Sequence, residues 1–367
     1  MTVGQQLRTA LCGVALTGVV LTTAQGLAVA APAPGGAAKA SPVAAAEDAA
    51  ARALARSLAD GAWRAEVGRA VADGEEVGLG ALAAVSRTGA AAPLAADVAR
   101  ADRSALAAKG LAADTGGLLT VTLAGDAGSR RAPLVAVAPS DDEASAVTAY
   151  DTAGRAHALD ASEAPDAPVY VVGIDGEKAL EAGTEVLERE LAAAGVTTDD
   201  AAAATGYWTS RITSVSVADD EETWIKGDAE IFSIVSGFGP DGKVRVDTVT
   251  HPYLDQAGTT YRPNRILVDW SRYKYNPADV VMTEDDGDTD YSALAKAVAA
   301  VLLTIADLGA YVPLVDPVVD ALPSSFWTDD ADFVDAWYTL ARETTGTRDG
   351  AGGNGRFTFD RYWVSAL

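Results

Sequence analysis

The chain predicts an α+β protein, with an N-terminal α+β domain followed by a β-sandwich that carries a helical insertion. Three observations lead there. Helical periodicity dominates before residue 110, runs of β-branched residues with turn signals begin at Leu118, and short strand-like segments with one apolar helix among them follow residue 207.

In order along the chain, residues 1–30 have the form of a secretory signal peptide. Arg8 is their only charge, an apolar stretch runs from Ala10 to about Val20, and Ala28-Val29-Ala30 fits a small-x-small cleavage site. An uncleaved anchor is the competing reading, but the stretch is short and broken by Thr and Gln. Cys12, the single cysteine, lies inside this segment, so the processed chain is expected to hold no disulfide and no membrane span. Residues 31–44, rich in Ala, Pro and Gly, read as a linker.

The first domain is expected over 45–195. Leu54, Leu58, Trp63, Val67 and Val71 fall on one helical face across 47–72, and shorter helices follow near 80–85 and 95–108. Strands are expected at 118–123, 133–138, 146–150, 156–159 and 169–173, with Asp151-Thr152-Ala153-Gly154 as a hairpin turn. Ala179, Leu180, Val186, Leu187 and Leu191 make 178–194 an amphipathic helix. Residues 196–206 read as a second linker.

The second domain is expected over 207–367, with strands at 211–217, 228–236, 244–249, 265–270, 280–283 and 357–364. Between the last two, Leu294, Val298, Val301, Leu302, Ile305 and Leu308 stripe a helix over 292–308. Phe333, Trp337 and Leu340 place a further helix over 329–341.

Composition narrows the function. With 52 acidic against 28 basic residues, the net charge of −24 disfavours nucleic acid and anionic membranes. Divalent cations, extracellular glycans and other proteins remain as partners. The acids gather in three clusters: Asp219-Asp220-Glu221-Glu222 with Asp228, Glu284 to Asp290, and Asp329, Asp330, Asp332 and Asp335. The first two stand at strand ends, where loops of a sandwich supply hard oxygens to calcium; Asp219, Asp220, Glu222, Asp228, Asp285, Asp286, Asp288 and Asp290 are the candidate ligands. The other reading makes them solvated faces and helix caps, with Asp290 before one helix and the third cluster as a capped, solvated helix start. An EF-hand is excluded, because counting from Asp286 puts Tyr291 at the sixth position and Ala297 at the twelfth.

No zinc-protease, nucleophile-elbow or phosphate-loop motif is present, and no catalytic residue is assigned. His157 and His251 are the only histidines, each expected in a structural role, His251 as a loop residue bonding to backbone. The alternative to a calcium-binding, non-catalytic protein is one that binds or hydrolyses glycans with paired carboxylates and Trp224 or Trp270. Trp270, Tyr273 and Tyr275 serve either as stacking faces or as core between sheets.

The acid-bearing strand pattern at 212–235 and the loop at 280–290 resemble the calcium- and phospholipid-binding sandwich of synaptotagmin type, although Gly227-Asp228-Ala229-Glu230 stands where that family carries Asp-Pro-Tyr. More broadly, Trp224-Ile225-Lys226-Gly227-Asp228-Ala229-Glu230-Ile231, His251-Pro252-Tyr253, Tyr261-Arg262-Pro263-Asn264, Glu284-Asp285-Asp286-Gly287-Asp288 and Pro168-Val169-Tyr170-Val171-Val172-Gly173 resemble a family of uncharacterised secreted bacterial proteins, a domain of unknown function. That resemblance implies secretion and a two-part build, and no activity.

Overall fold

A computed structural model describes residues 41–366 except 73–75, 126–128, 130, 139–144, 162, 164, 197–205, 220–228, 255, 286 and 307–332. They lie within one compact unit, Ala40–Leu367.

The chain enters helix α1 (Pro42–Ser57) earlier than periodicity alone places it. Ser41 Oγ accepts from Ala44 N–H at 2.9 Å and Pro42 takes the first turn, where its missing N–H costs nothing. The expected long helix is broken after Leu58, and α2 (Gly61–Ala70) restarts behind Asp60, whose carboxylate accepts from Ala62 and Trp63 N–H. Then come β1 (Val77–Gly78), α3 (Leu79–Val85) and α4 (Ala91–Ala108). Strands β2 (Leu119–Gly125), β3 (Leu134–Val137), β4 (Ala146–Tyr150), β5 (Ala156–Asp160) and β6 (Pro168–Ile174) precede α5 (Gly176–Ala193). The first sheet has the order β1-β2-β6-β3-β4-β5, with only the β3–β6 pair parallel. Leu54, Leu58, Trp63, Leu94 and Val98 from the helices bury one of its faces against Leu119, Val121, Tyr170 and Val172.

The rest is a sandwich. Strands β7 (Tyr207–Val217), β8 (Ile231–Phe238), β9 (Val244–Thr250), β10 (Arg265–Asp269) and β11 (Pro277–Glu284) lead to α6 (Tyr291–Ala306). Strands β12 (Phe333–Ala341), β13 (Gly346–Asp349) and β14 (Gly355–Val364) complete it. One sheet runs β10-β7-β14-β13 and the facing one β12-β11-β8-β9. Ile212, Val215, Phe357 and Phe359 of the first meet Ile231, Val235, Val280 and Met282 of the second. The second sheet is buried on both faces. On its far side Phe232, Ile234, Val244 and Val281 pack against Leu187 and Leu191 of α5 and Leu294, Val298 and Leu302 of α6. Every residue of β8 is buried, as a strand covered on both sides requires. The apolar stripe of α6 thus covers a sheet, each fully buried Leu or Val contributing roughly 1.5–3 kcal/mol.

One expected helix is corrected. Residues 333–341 form the strand β12, not the second half of a helix. Its pairing with β11 slips between Ala278 and Val280 and again between Met282 and Thr283, and Thr339 sits at φ 51°. These irregularities break period-two alternation, leaving Val334–Trp337 buried, Tyr338 and Thr339 exposed and Leu340 buried. That spacing imitates a helix. The expected start of that helix, 329–332, lies outside the described residues.

Candidate functional site

The second acidic cluster is organised around a lysine. Asp285 follows β11, and Lys109 caps the C-terminus of α4; both side chains are wholly buried. Lys109 Nζ lies 3.1 and 3.3 Å from the two Asp285 carboxylate oxygens and donates to the Gly287 carbonyl at 2.6 Å. The Tyr291 hydroxyl donates to the same carboxylate, its ring stands 5.3 Å from Nζ, and its N–H donates to the Lys109 carbonyl at 3.2 Å. Gly183 of α5 gives the Tyr291 ring its room, since a Cβ there would collide with it. A cation of the chain itself therefore neutralises Asp285.

The other candidate ligands have their own occupations. Asp288 accepts from Ser41 Oγ at 2.8 Å, and Asp290 accepts from Ala293 N–H at 3.0 Å, the expected cap of α6. Asp219, exposed past β7, is held by Asn354, whose side chain accepts from Asp219 N–H at 2.9 Å and donates to its carbonyl at 3.1 Å. The loops before β8 and after β11 meet where Asp285 N–H donates to the Glu230 carbonyl at 3.0 Å. Asp220, Glu222, Asp228 and Asp286, with Trp224, lie outside the described residues. Among the described residues, no three of His, Cys, Asp and Glu gather as a metal-binding group.

In the third cluster, whose Asp329, Asp330 and Asp332 lie outside the described residues, Asp335 departs from expectation. Asp335 is not solvated but fully buried in β12, where its carboxylate accepts from Ala336, Gly352 and Gly355 N–H at 2.6–2.7 Å. A side chain at Gly350 would collide with it, which accounts for the glycine at that position. Trp270 and Tyr273 are core, Trp270 Nε1 donating to Ser210 Oγ at 2.9 Å; Tyr275 is exposed. Arg272 pairs with Asp269 at 3.1 Å and Asp247 at 3.4 Å. His157, beside Asp151 at 3.1 Å, stays in the hairpin.

His251 does more than bond to backbone. Its N–H donates to the Ile231 carbonyl at 2.7 Å, while the fully buried ring spans two hydroxyls, with Nε2 2.8 Å from Ser233 Oγ and Nδ1 3.0 Å from the Tyr253 hydroxyl. Burial first, and then Arg265, depress the imidazole pKa to about 3, so the ring is neutral near pH 7. Burial pushes the Tyr253 hydroxyl up to about 12, against the opposing pull of Arg265. Tyr253 then reaches a cavity of about 530 Å³ lined by Tyr261, Arg262, Pro263, Asn264 and Arg265. Asn264, at φ 50°, bends the chain between the two arginines, in a conformation that Asn tolerates better than most residues. Arg265 donates to Thr250 Oγ1 at 3.2 Å. Among the described residues neither arginine has a carboxylate partner. The sequence signal for this site was present in His251-Pro252-Tyr253 and Tyr261-Arg262-Pro263-Asn264; what joins the two is the isolated bridge of Tyr261 to Val215 and the turn that returns Leu254 N–H to the His251 carbonyl.

Fold and site define the class: an α+β protein built on a sheet sandwich, with an arginine-lined cavity beside a buried histidine that bonds to two hydroxyls. The chain belongs to the family described as Protein of unknown function (DUF3103), whose model matches residues 51–366. No curated protein matches the chain, and no solved structure does. Among the described residues no helix is long and apolar enough to cross a membrane.

Proposed function

We propose that the protein is a secreted, non-catalytic binder of extracellular glycan, and that the sugar seats in the Tyr253 cavity, not on Trp224 or Trp270. The observation that carries this is the lining itself. Tyr253, Tyr261 and Pro263 supply the apolar part of the lining while Arg262, Asn264 and Arg265 supply N–H donors, within a volume in the range of ligand sites. Trp270 has no free face, being 7% exposed. The only serine–histidine pair found with this cavity, Ser233 and His251, is fully buried, which suits a scaffold better than a nucleophile. Thermal melting against a panel of neutral and acidic mono- and oligosaccharides tests it. At least one should raise the midpoint of the wild type and not of Tyr261→Ala; a panel without effect refutes the reading.

A second reading keeps calcium at the acidic loops. It is favoured by the Asp285–Glu230 backbone bond, which joins the chain just before β8 to the chain just after β11; the ligands in question remain Asp219, Asp220, Glu222, Asp228, Asp286, Asp288 and Asp290. It must do without Asp285, already paired with Lys109. With free calcium at ten times its dissociation constant, the folded state would gain about 1.4 kcal/mol. A melting midpoint indifferent to both calcium and chelator removes it.

A further inference from the structure

We infer that the glycan recognised in the Tyr253 cavity is acidic, and that its anionic group is received by the Tyr253 hydroxyl together with the Arg265 guanidinium. This rests on the cavity being the glycan site and adds the class of sugar.

The direction of the buried hydrogen bonds sets it. Ser233 is wholly buried, and His251 Nε2, at 2.8 Å, is its hydroxyl's partner among the described residues. A buried hydroxyl proton with no acceptor costs roughly 1–3 kcal/mol, so Ser233 donates to Nε2. A neutral imidazole has one N–H and one acceptor nitrogen. With Nε2 accepting, the ring proton is on Nδ1, and Nδ1–H donates across 3.0 Å to the Tyr253 oxygen. The Tyr253 hydroxyl proton is then not spent on His251. It is left for whatever occupies the cavity, and with its pKa near 12 the phenol keeps that proton under physiological conditions.

The other polar groups around the cavity point the same way. Guanidinium groups carry five donors and no acceptor, and Arg265 commits one nitrogen to Thr250 Oγ1 at 3.2 Å. Arg262 adds a second cation to the lining. A cavity lined by two guanidinium groups and by a tyrosine whose hydroxyl proton is not spent on His251 is matched by a carboxylate or sulfate on a sugar, through charge-assisted bonds. Both arginines are without acidic partners among the described residues, although the chain carries a net charge of −24. At physiological salt that remote negative charge is screened beyond about 8 Å, so the local cations govern what binds.

Calorimetric titration of the full chain with three trisaccharides tests this: a galacturonate oligomer, its neutral galactose counterpart and a 6-sulfated galactose oligomer. The expected result is tenfold or tighter binding of at least one acidic oligomer over the neutral one at about 50 mM salt. The preference should narrow at about 500 mM. Whichever acid binds identifies carboxylate or sulfate as the source of the charge. Arg265→Gln, at an exposed position, should erase the preference with an unchanged melting curve, and Tyr253→Phe should weaken acidic binding several-fold. Equal affinity for neutral and acidic oligomers overturns the inference and leaves the glycan reading standing. Failure of all three to bind counts against both, and an acidic preference that survives Arg265→Gln overturns the placement.

Discussion

Replacing Lys109 by Met tests how the acidic loop is held. The substitution keeps the length and apolar body of the side chain and removes only the ammonium. In the wild type that ammonium is 3.1 Å from an Asp285 oxygen. At that separation, with an effective dielectric of 20, the Coulomb attraction is about 5 kcal/mol. Desolvation of both ions offsets part of it in the intact pair. In the variant, however, Asp285 stays buried without its counter-charge and the Gly287 carbonyl loses a charged donor, so a loss of about 3–5 kcal/mol of folding stability is expected. The Tyr291 hydroxyl keeps its bond to Asp285 and limits the damage. Urea unfolding followed by tryptophan fluorescence measures it, with Asp285→Asn and the double variant closing a cycle. The double variant should be more stable than Lys109→Met alone, with a coupling of at least about 2 kcal/mol, because no orphan charge is left. A single variant within about 1 kcal/mol of wild type, or additive singles, would refute the account of Lys109 as the loop's cation.

Three further outcomes follow from the same structure. Asp335→Ala strips three N–H groups, two of them in buried bonds, of their acceptor and should cost more than about 3 kcal/mol in the same assay, while Asp335→Asn, which still accepts, should cost less. Gly183→Ala pushes a methyl group into the Tyr291 ring and should cost about 1–3 kcal/mol in the same assay. For His251 the folded pKa, about 3, lies below its unfolded value, so the unfolded state binds the extra proton between the two. Stability from this group is complete above about pH 6.5 and is lost as pH falls towards 3, amounting to about 2 kcal/mol between pH 7 and 5. His251→Gln should flatten that slope in pH-dependent unfolding; an unchanged slope contradicts the buried neutral ring.

Most elements were legible because one face of each is apolar at a regular spacing. Leu187 and Leu191 on α5, and Leu294, Val298 and Leu302 on α6, declared their helices without saying what they cover. β12 was misread because bulges against β11 rearranged its buried positions into a helical spacing. Of the candidate ligands, Asp290 is the cap that its place before α6 suggests. Asp285 could not be understood from its own neighbourhood, because its partner is 176 positions away at the end of an Ala-rich helix. A lysine there reads as an exposed residue favoured by the helix dipole. Tyr253 stood within one quoted motif and Arg265 directly after another, at the start of an expected strand, but nothing local told that the two stretches share a cavity.

The sequence by itself determined the α+β class, the place of most helices and strands, the lack of any cysteine after Cys12 and the strongly acidic composition, since these depend on composition and on spacing within short windows. Tertiary structure alone decided which acids are exposed and which are neutralised. It buried Asp285 on Lys109 and Asp335 on three backbone amides, and it turned His251 into a bridge between Ser233 and Tyr253. The physical reason is that a charge or a proton is assigned by its nearest partners in space, and here those partners come from other strands, loops and helices.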